Sequence, residues 1–216
     1  SIGASIEDKT DKIYFQLDIK DEIEQYLKLL NNRFNFNWNW NIINNNKWHL
    51  KWKEKFIPII ISNKITIVPS WDNMTSSEIL VKIEPGMAFG TGHHQTTTLA
   101  IEILENLIEE GMCMLDLGTG SGIIAIIAKY LGANKIDAVE IDEDCLENFN
   151  INLDLNNMKK VISYHNCDVL KWRNFNYDII VANINRNVIL DLIPIIGKTD
   201  ATIIFTGLLV EDRSII

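Results

Sequence analysis

Two glycine clusters and a few strand-end polar residues have the types and spacing to do chemistry in this chain. In "LDLGTGSGIIAIIA", Leu115–Ala128, Asp116 precedes Gly118, Gly120 and Gly122, which run straight into an apolar helical pattern. Glycines at a strand-to-helix turn let a ligand approach the backbone closely, and the helix start adds unpaired N–H groups. No Lys-Ser/Thr pair follows the glycines, which excludes a nucleoside-triphosphate loop, and Ile123 stands where a dinucleotide fingerprint has Gly or Ala. Glu140, in "VEID" about twenty residues on, falls at the tip of the next strand. An acid there takes both ribose hydroxyls of an adenosine ligand. The competing role for such an acid, helix capping, can be filled by Asp142 or Asp144. A glycine turn plus an acidic tip mean a nucleoside cofactor, and the GxGxG form behind Asp116 points to S-adenosylmethionine rather than a nicotinamide.

The upstream stretch "EPGMAFGTGHHQTTTLAIEIL", Glu84–Leu104, leads from a glycine-rich loop into a second helix. The expected role of this loop is to close over the methionine end of the cofactor, with Phe89 and Gly90 among the contacts. Thr97, in the first turn of the helix, is placed to donate to the methionine carboxylate alongside the helix dipole. His93 and His94 are adjacent and do not converge, and no other Cys or His shows ligand spacing, so no metal is expected. Asp168, after the third strand, is placed to reach an adenine amino group. Asn183, ending the fourth strand in "IIVANINRN", puts an acceptor and a donor at the reacting end of the cofactor.

These residues need strands and helices to hold them. From Lys64 onward the pattern is regular: "KITIVPS" and "EILVKIE" read as two strands of a hairpin, followed by the helix "TTTLAIEILENLIEEG" with Leu99, Ile103, Leu104, Leu107 and Ile108 as its apolar stripe. Strand "MCMLDL", helix "SGIIAIIAKYLG", strand "KIDAVEI", helix "DEDCLENFNINLDLNN", strands "VISYHN" and "YDIIVAN", a helix over 186–196 and strand "ATIIFTG" complete the run. Strands alternating with helices predict an α/β, doubly wound, mostly parallel Rossmann-like sheet, with its ligand crevice at the carboxyl ends of the strands. Before this region, "YFQLDI" reads as a strand and "DEIEQYLKLL" as a helix with Ile23, Tyr26, Leu27 and Leu30 on one face. Phe34, Phe36, Trp38, Trp40 and Ile42 alternate with polar residues, the pattern of a half-buried strand or of a base-stacking platform. Trp48, Trp52 and Phe56, spaced by four, predict an amphipathic linker helix. The expected organisation is a small N-terminal α+β recognition domain over 1–46, a linker helix over 47–58 and a cofactor-binding domain over 59–216.

Composition limits the partners. The 216 residues are 47% hydrophobic, with a formal charge of −9, which argues against stable nucleic-acid binding and suits a basic partner. No apolar run reaches the length of a membrane span, no signal segment opens the chain, and three cysteines without CxxC spacing suit a cytoplasmic location.

"PGMAFGTGHHQTT", "LDLGTGSGIIAI", "AVEID" and "VANI" occur in the order and spacing of the ribosomal protein L11 methyltransferase family (PrmA), which the chain resembles over nearly all of 47–209; "WKEKFIPI" and "VPSW" are similar to its linker and first strand. The resemblance implies cofactor contacts at Thr97, Gly118, Glu140 and Asn183. It implies methylation of lysine ε-amines and an α-amine on a ribosomal protein, captured by the N-terminal domain. The chemistry is in-line attack of an amine on a sulfonium methyl, where alignment and desolvation supply most of the rate. Asn183 and neighbouring carbonyls would orient the amine, with no dedicated general base. The family's Thr-His-Pro-Thr-Thr is His93-His94-Gln95-Thr96-Thr97 here, and Glu140 replaces an Asp. The chain also stops at Ile216, short of strands that normally finish such a sheet, as expected of a trimmed or divergent member. Two other readings stay open. One is transfer to another protein, a nucleic acid or a small molecule, although Asn183 is followed by Ile-Asn-Arg and not by the Pro-Pro-Tyr of amide and base methylation. The other is a non-catalytic cofactor-binding module.

Overall fold

A computed structural model describes residues 3–7, 10–14, 20–34, 36–40, 56–74, 76–85 and 95–214. The chain divides into two units, Ser1–Lys51 and Trp52–Ile216.

In the first unit, strands β1 (Gly3–Glu7) and β2 (Thr10–Tyr14) form an antiparallel hairpin, with Glu7 opposite Thr10. Helix α1 (Lys20–Phe34) follows, opened by Asp21 and Glu22 and closed by Arg33, charges that complement the helix dipole at each end. The expected strand over the alternating aromatics does not form: Phe34 is the last helical residue, and 36–40 pair with no strand among the described residues. The Asn31 side chain accepts the Phe36 N–H at 2.9 Å and turns the chain out of the helix. The Phe36 and Trp38 rings then pack on each other at 5.7 Å, and the Lys20 ammonium lies 5.5 Å from the Trp40 ring. The aromatics thus bury area locally rather than across a sheet. Of the expected "YFQLDI" strand only Tyr14 is in β2, and residues 15–19 lie outside the described residues, as do 47–55 of the expected linker helix. Residues 56–58 are not helical.

The second unit opens with a three-stranded sheet, β3 (Ile59–Ile60), β4 (Ile65–Pro69) and β5 (Ile79–Ile83), in that order. The expected hairpin between "KITIVPS" and "EILVKIE" is corrected: β4 and β5 run parallel, and the antiparallel partner of β4 is β3. The reason is Ser62, whose hydroxyl accepts the Lys64 and Ile65 N–H groups and builds the tight turn one strand earlier. Helix α2 (Gln95–Leu107) follows, then β6 (Cys113–Leu117), α3 (Ile123–Tyr130), β7 (Lys135–Glu140), α4 (Cys145–Leu155), β8 (Ile162–Asn166), β9 (Ile179–Ala182), α5 (Arg186–Ile196) and β10 (Thr202–Phe205).

The five later strands form one wholly parallel sheet in the order β10-β9-β6-β7-β8. This is the doubly wound Rossmann-like arrangement, and its order reverses between β6 and β9. Alternation along the strands sends Met114, Ile179 and Val181 to one core with α2, α3 and α4, and Leu115, Leu117, Ile180 and Ala182 to a second core with α5. Ile123 to Ala128 of α3 are all buried, because this helix packs between β6 and β7 on one side and β5 on the other. A helix apolar on every side requires such cover.

Helix α2 turns only part of the expected stripe inward, Leu104 and Ile108, and is rotated so that smaller residues join them. Thr97, Ala100, Ile101 and Leu104 are buried, with Ile108 just beyond packed on the same core, whereas Leu99, Ile103 and Leu107 are 54%, 42% and 37% exposed. Small residues at 97 and 100 let the helix approach closely, which selects that face although both are apolar.

Candidate functional site

The carboxyl ends of β6, β7 and β9 meet where the strand order reverses, and every described candidate residue except Asp168, which follows β8, lies on that lip or beside it. The turn after β6 is held open by backbone geometry: Gly118, Gly120 and Gly122 have φ of +76°, +53° and +80°. A side chain at Gly118 would place a Cβ 2.0 Å from Ile184 Cγ2, and one at Gly122 would sit 2.6 Å from the Phe149 ring. The Gly118 and Thr119 N–H groups both donate to the Val139 carbonyl, at 2.8 and 3.0 Å, which ties the turn to the end of β7.

Glu140 fastens the same turn. One carboxylate oxygen accepts the Gly120 N–H at 3.0 Å and the other accepts those of Ile141 and Asp142, at 2.9 and 3.0 Å. The acid therefore stands at the strand tip with its rotamer fixed by backbone donors. Below it, Asp116 is completely buried; one oxygen accepts the Thr119 hydroxyl at 2.7 Å, and among the described residues the other has no hydrogen-bond partner. Burial pushes the Asp116 carboxyl up to about 7; the Thr119 hydroxyl and the Ala125 N–H at the start of α3 oppose this, the latter without closing a hydrogen bond, and the charge of Glu140 adds to it. A buried acceptor without a donor, beside a second carboxylate, suits a cofactor with a sulfonium and an ammonium, and the side-chain-free turn gives its backbone room. The residues present fit S-adenosylmethionine.

Asn183, immediately after β9, is buried between two hydroxyls. Its Nδ2 donates to Thr97 Oγ1 at 3.1 Å, and its Oδ1 accepts from the Thr206 hydroxyl at 2.6 Å. Thr97 is fully buried in the first turn of α2, and as an acceptor it keeps its own O–H to donate elsewhere. Thr206 follows β10, where its N–H is bonded to the Ala182 carbonyl at 3.2 Å. Sequence reasoning did not single out Thr206 or Thr119. The available signal was position alone, a hydroxyl one residue past a strand and one inside the glycine turn.

Asp168 lies one strand further out, after β8. Its Oδ1 accepts the Leu170 N–H at 2.9 Å and caps the short 3-10 turn Val169–Lys171. Phe89 and Gly90 lie outside the described residues, as do His93 and His94. Among the described residues no group of three His, Cys, Asp or Glu is placed to hold a metal ion.

Comparison with known proteins points to one family. The matching family description is "Ribosomal protein L11 methyltransferase (PrmA)", over residues 5–216. A curated ribosomal protein L11 methyltransferase of Dictyoglomus turgidum is 36% identical over 215 residues, covering 95% of this chain and 71% of that protein. One from Listeria monocytogenes is 40% identical over 178 residues, covering 78% of this chain. The chain spans 56% of that relative's length. The crystal structure of ribosomal protein L11 methylase from Lactobacillus delbrueckii subsp. bulgaricus superposes with a TM-score of 0.66 at 32% identity, covering 73% of this chain and 83% of that one. With the glycine turn, the acid at the tip of β7 and Asn183 after β9 all in the matched region, the chain belongs to the ribosomal protein L11 methyltransferase family.

Proposed function

We propose that the protein methylates amino groups, lysine ε-amines and an α-amine, of a basic ribosomal protein of the L11 type, with S-adenosylmethionine as donor. The observation that supports this best is Asn183 set between Thr97 and Thr206, at the reversal of strand order and beside the Gly118–Gly122 turn. Bound there, S-adenosylmethionine would supply a methyl group on a positively charged sulfur. The chain's own residues provide grip and alignment. Glu140 would take the ribose hydroxyls and supply negative potential, Asp116 would offer its unpartnered buried oxygen, and Thr97 would offer its hydroxyl to the methionine carboxylate at the start of α2. Asp168 stands on the adenine side. Asn183, with one N–H and one lone pair committed to its neighbours, keeps the other N–H and lone pair for the incoming amine and the donor. A neutral amine aligned in a water-poor crevice needs little further help, since orientation and desolvation carry most of such a displacement.

The acceptor is a protein on this reading. Helix α1 of the first unit leaves Tyr26, Leu29, Leu30 and Phe34 exposed at 66%, 67%, 44% and 63%, an apolar face of the kind that binds other proteins. The net charge of −9 suits a basic acceptor and a chain without stable nucleic-acid binding. No helix among the described residues is long and apolar enough to cross a membrane, and a ribosomal acceptor places the activity in the cytoplasm.

Radiolabelled S-adenosylmethionine, incubated with the protein and purified L11-type ribosomal protein, tests the proposal. Label is expected on lysine and the α-amine of that protein. In a parallel incubation with cell extract, label on RNA or a small molecule, with none on protein, would replace the acceptor class. Cofactor binding with no transfer to any acceptor would leave a binding module.

A further inference from the structure

Helix α4 buries three asparagines one turn apart, Asn148, Asn152 and Asn156, the last capping its end. Buried carboxamides on a helix face that would otherwise be apolar are costly unless every polar atom finds a partner. Here the partners are main-chain groups of β5, the edge strand of its sheet, and of Glu84 just beyond its end. Asn156 accepts the Lys82 N–H at 3.1 Å and donates to the Lys82 carbonyl at 2.6 Å, as a neighbouring strand residue would. Two residues along, Asn152 accepts the Glu84 N–H at 2.7 Å and Asn148 donates to the Glu84 carbonyl at 2.8 Å. The ladder replaces a missing strand and closes the edge of β5.

Asn152 does more than its neighbours. Its Nδ2 also donates to the Ser121 carbonyl at 2.9 Å and to Asn148 Oδ1 at 3.3 Å, so one fully buried amide joins the end of β5 to the glycine turn. Ser121 lies between Gly120 and Gly122, both at positive φ. A turn made of glycines has few side chains to hold its shape, so bonds from outside must hold it: Val139 and Glu140 from β7, and Asn152 from α4.

We infer that Asn152 is a positioning residue for the cofactor: it sets the shape of the glycine turn through the Ser121 carbonyl, so cofactor affinity depends on an amide too deeply buried to touch the ligand. Asn156, which grips β5, its own helix and, at 3.5 Å, the Tyr130 hydroxyl at the far end of α3 but makes no bond to the glycine turn, is the internal control. The inference rests on the reading that this turn holds S-adenosylmethionine.

Asn152→Asp separates positioning from bulk. The ionised carboxylate accepts the Glu84 N–H but has nothing to donate to Ser121. The protonated acid supplies an O–H to the Ser121 carbonyl and keeps a C=O for Glu84, restoring both bonds. Titratable neighbours, namely Glu84, Tyr130 on α3, and Asp116 and Glu140 at the turn, are shared with wild type, so the ratio of variant to wild-type affinity isolates residue 152. Titration calorimetry with S-adenosylmethionine, paired with thermal melts, is expected to show N152D binding weaker by about tenfold or more at pH 8, with the ratio returning toward one as pH falls. N156A is expected to melt earlier yet bind within about twofold of wild type. If N152D does not fold at pH 8, Asn152→Ser, whose hydroxyl can serve only one of the partners, is read against N156A in the same way. Wild-type affinity in the 152 variants at every pH, or losses at 152 and 156 that simply follow lost stability, overturns the inference. No binding by the wild-type chain overturns the cofactor reading and the inference together.

Discussion

A carboxamide bonded at both ends to hydroxyls has little rotational freedom, and this gives Asn183 a role that Asp168 does not share. Asn183 is fixed between Thr97 and Thr206, where the proposed reaction would bring the amine to the donor, whereas Asp168 spends one oxygen on capping a turn after β8. Loss of an aligning group lowers turnover, and loss of a ground-state contact raises the apparent Michaelis constant. Asn183→Ala is therefore expected to cut kcat on the order of a hundredfold. Asp168→Ala should instead weaken apparent cofactor affinity at near-normal saturated turnover, and steady-state kinetics with cofactor varied at saturating acceptor would expose the reverse pattern. Asp116 gives a second test at this scale. Its folded pKa, raised to about 7 by burial, lies above the ordinary 3.8, so the folded state holds a proton that the unfolded chain has lost. Stability from this group is present below the unfolded value and declines as pH rises toward about 7. Asp116→Asn should flatten that decline in urea titrations between pH 4 and 7, and an unchanged slope would assign it to other groups.

At the scale of elements, periodicity found the strands and helices of the parallel sheet because they are long, apolar and separated by glycine or asparagine turns. It did not decide faces. Helix α2 carries an apolar arc wider than one face, opposite Thr98, Glu102, Glu105 and Asn106, so Leu99–Ile103–Leu107 and Ala100–Ile101–Leu104 both fit a 3.6-residue period, and the second set, with small residues at 97 and 100, is the one buried. Leu104→Ala is accordingly expected to cost about 2–5 kcal/mol, and Leu99→Ala within about 0.5 kcal/mol of nothing, by chemical denaturation. Equal losses would mean that the exposed stripe is covered in solution. The parallel pairing of β4 with β5 was hidden for a related reason, since both strands read as apolar runs and direction is set by the loop between them. The aromatic alternation over 34–40 misled because a period of two was matched without a partner strand among the described residues to bury it; Ile42 lies outside them. In the site, the glycines, Glu140 and Asn183 were legible because each sits at a strand end marked by its own pattern. Thr206 and the asparagine ladder were not, because their work is done through contacts between residues far apart in sequence, and Thr119 was not, because its bond to Asp116 three residues back depends on the folded shape of the turn.

Across the whole molecule, the two units carry different kinds of surface. Trp52–Ile216 contains both cores, the parallel sheet and every candidate cofactor residue. Ser1–Lys51 contains none of these residues and presents the exposed apolar face of α1. On the proposed reading, such a division would separate holding the donor from recognising the acceptor, and both hydrophobic cores lie in the second unit. Phe56 is buried and packs edge-on to Trp71 at 6.3 Å, so the cut belongs before it, at Trp52 and not at Pro58. A chain beginning at Trp52 is expected to bind S-adenosylmethionine within about threefold of the full chain, because the hydrogen bonds that shape the turn and hold Glu140 and Asn183 are made within the second unit. The same chain should lose methylation of the ribosomal protein by about a hundredfold or more in kcat/KM, since an apolar docking face normally supplies several kcal/mol of acceptor binding. In the full chain, Tyr26→Asp with Leu30→Asp should raise the KM for the protein acceptor and leave cofactor affinity unchanged. Calorimetry and acceptor-titrated methylation assays on the three proteins decide the matter. Full activity of the shortened chain on the ribosomal protein would move recognition to the sheet-bearing unit, where the exposed Leu99–Ile103–Leu107 stripe of α2 would be the surface to mutate next.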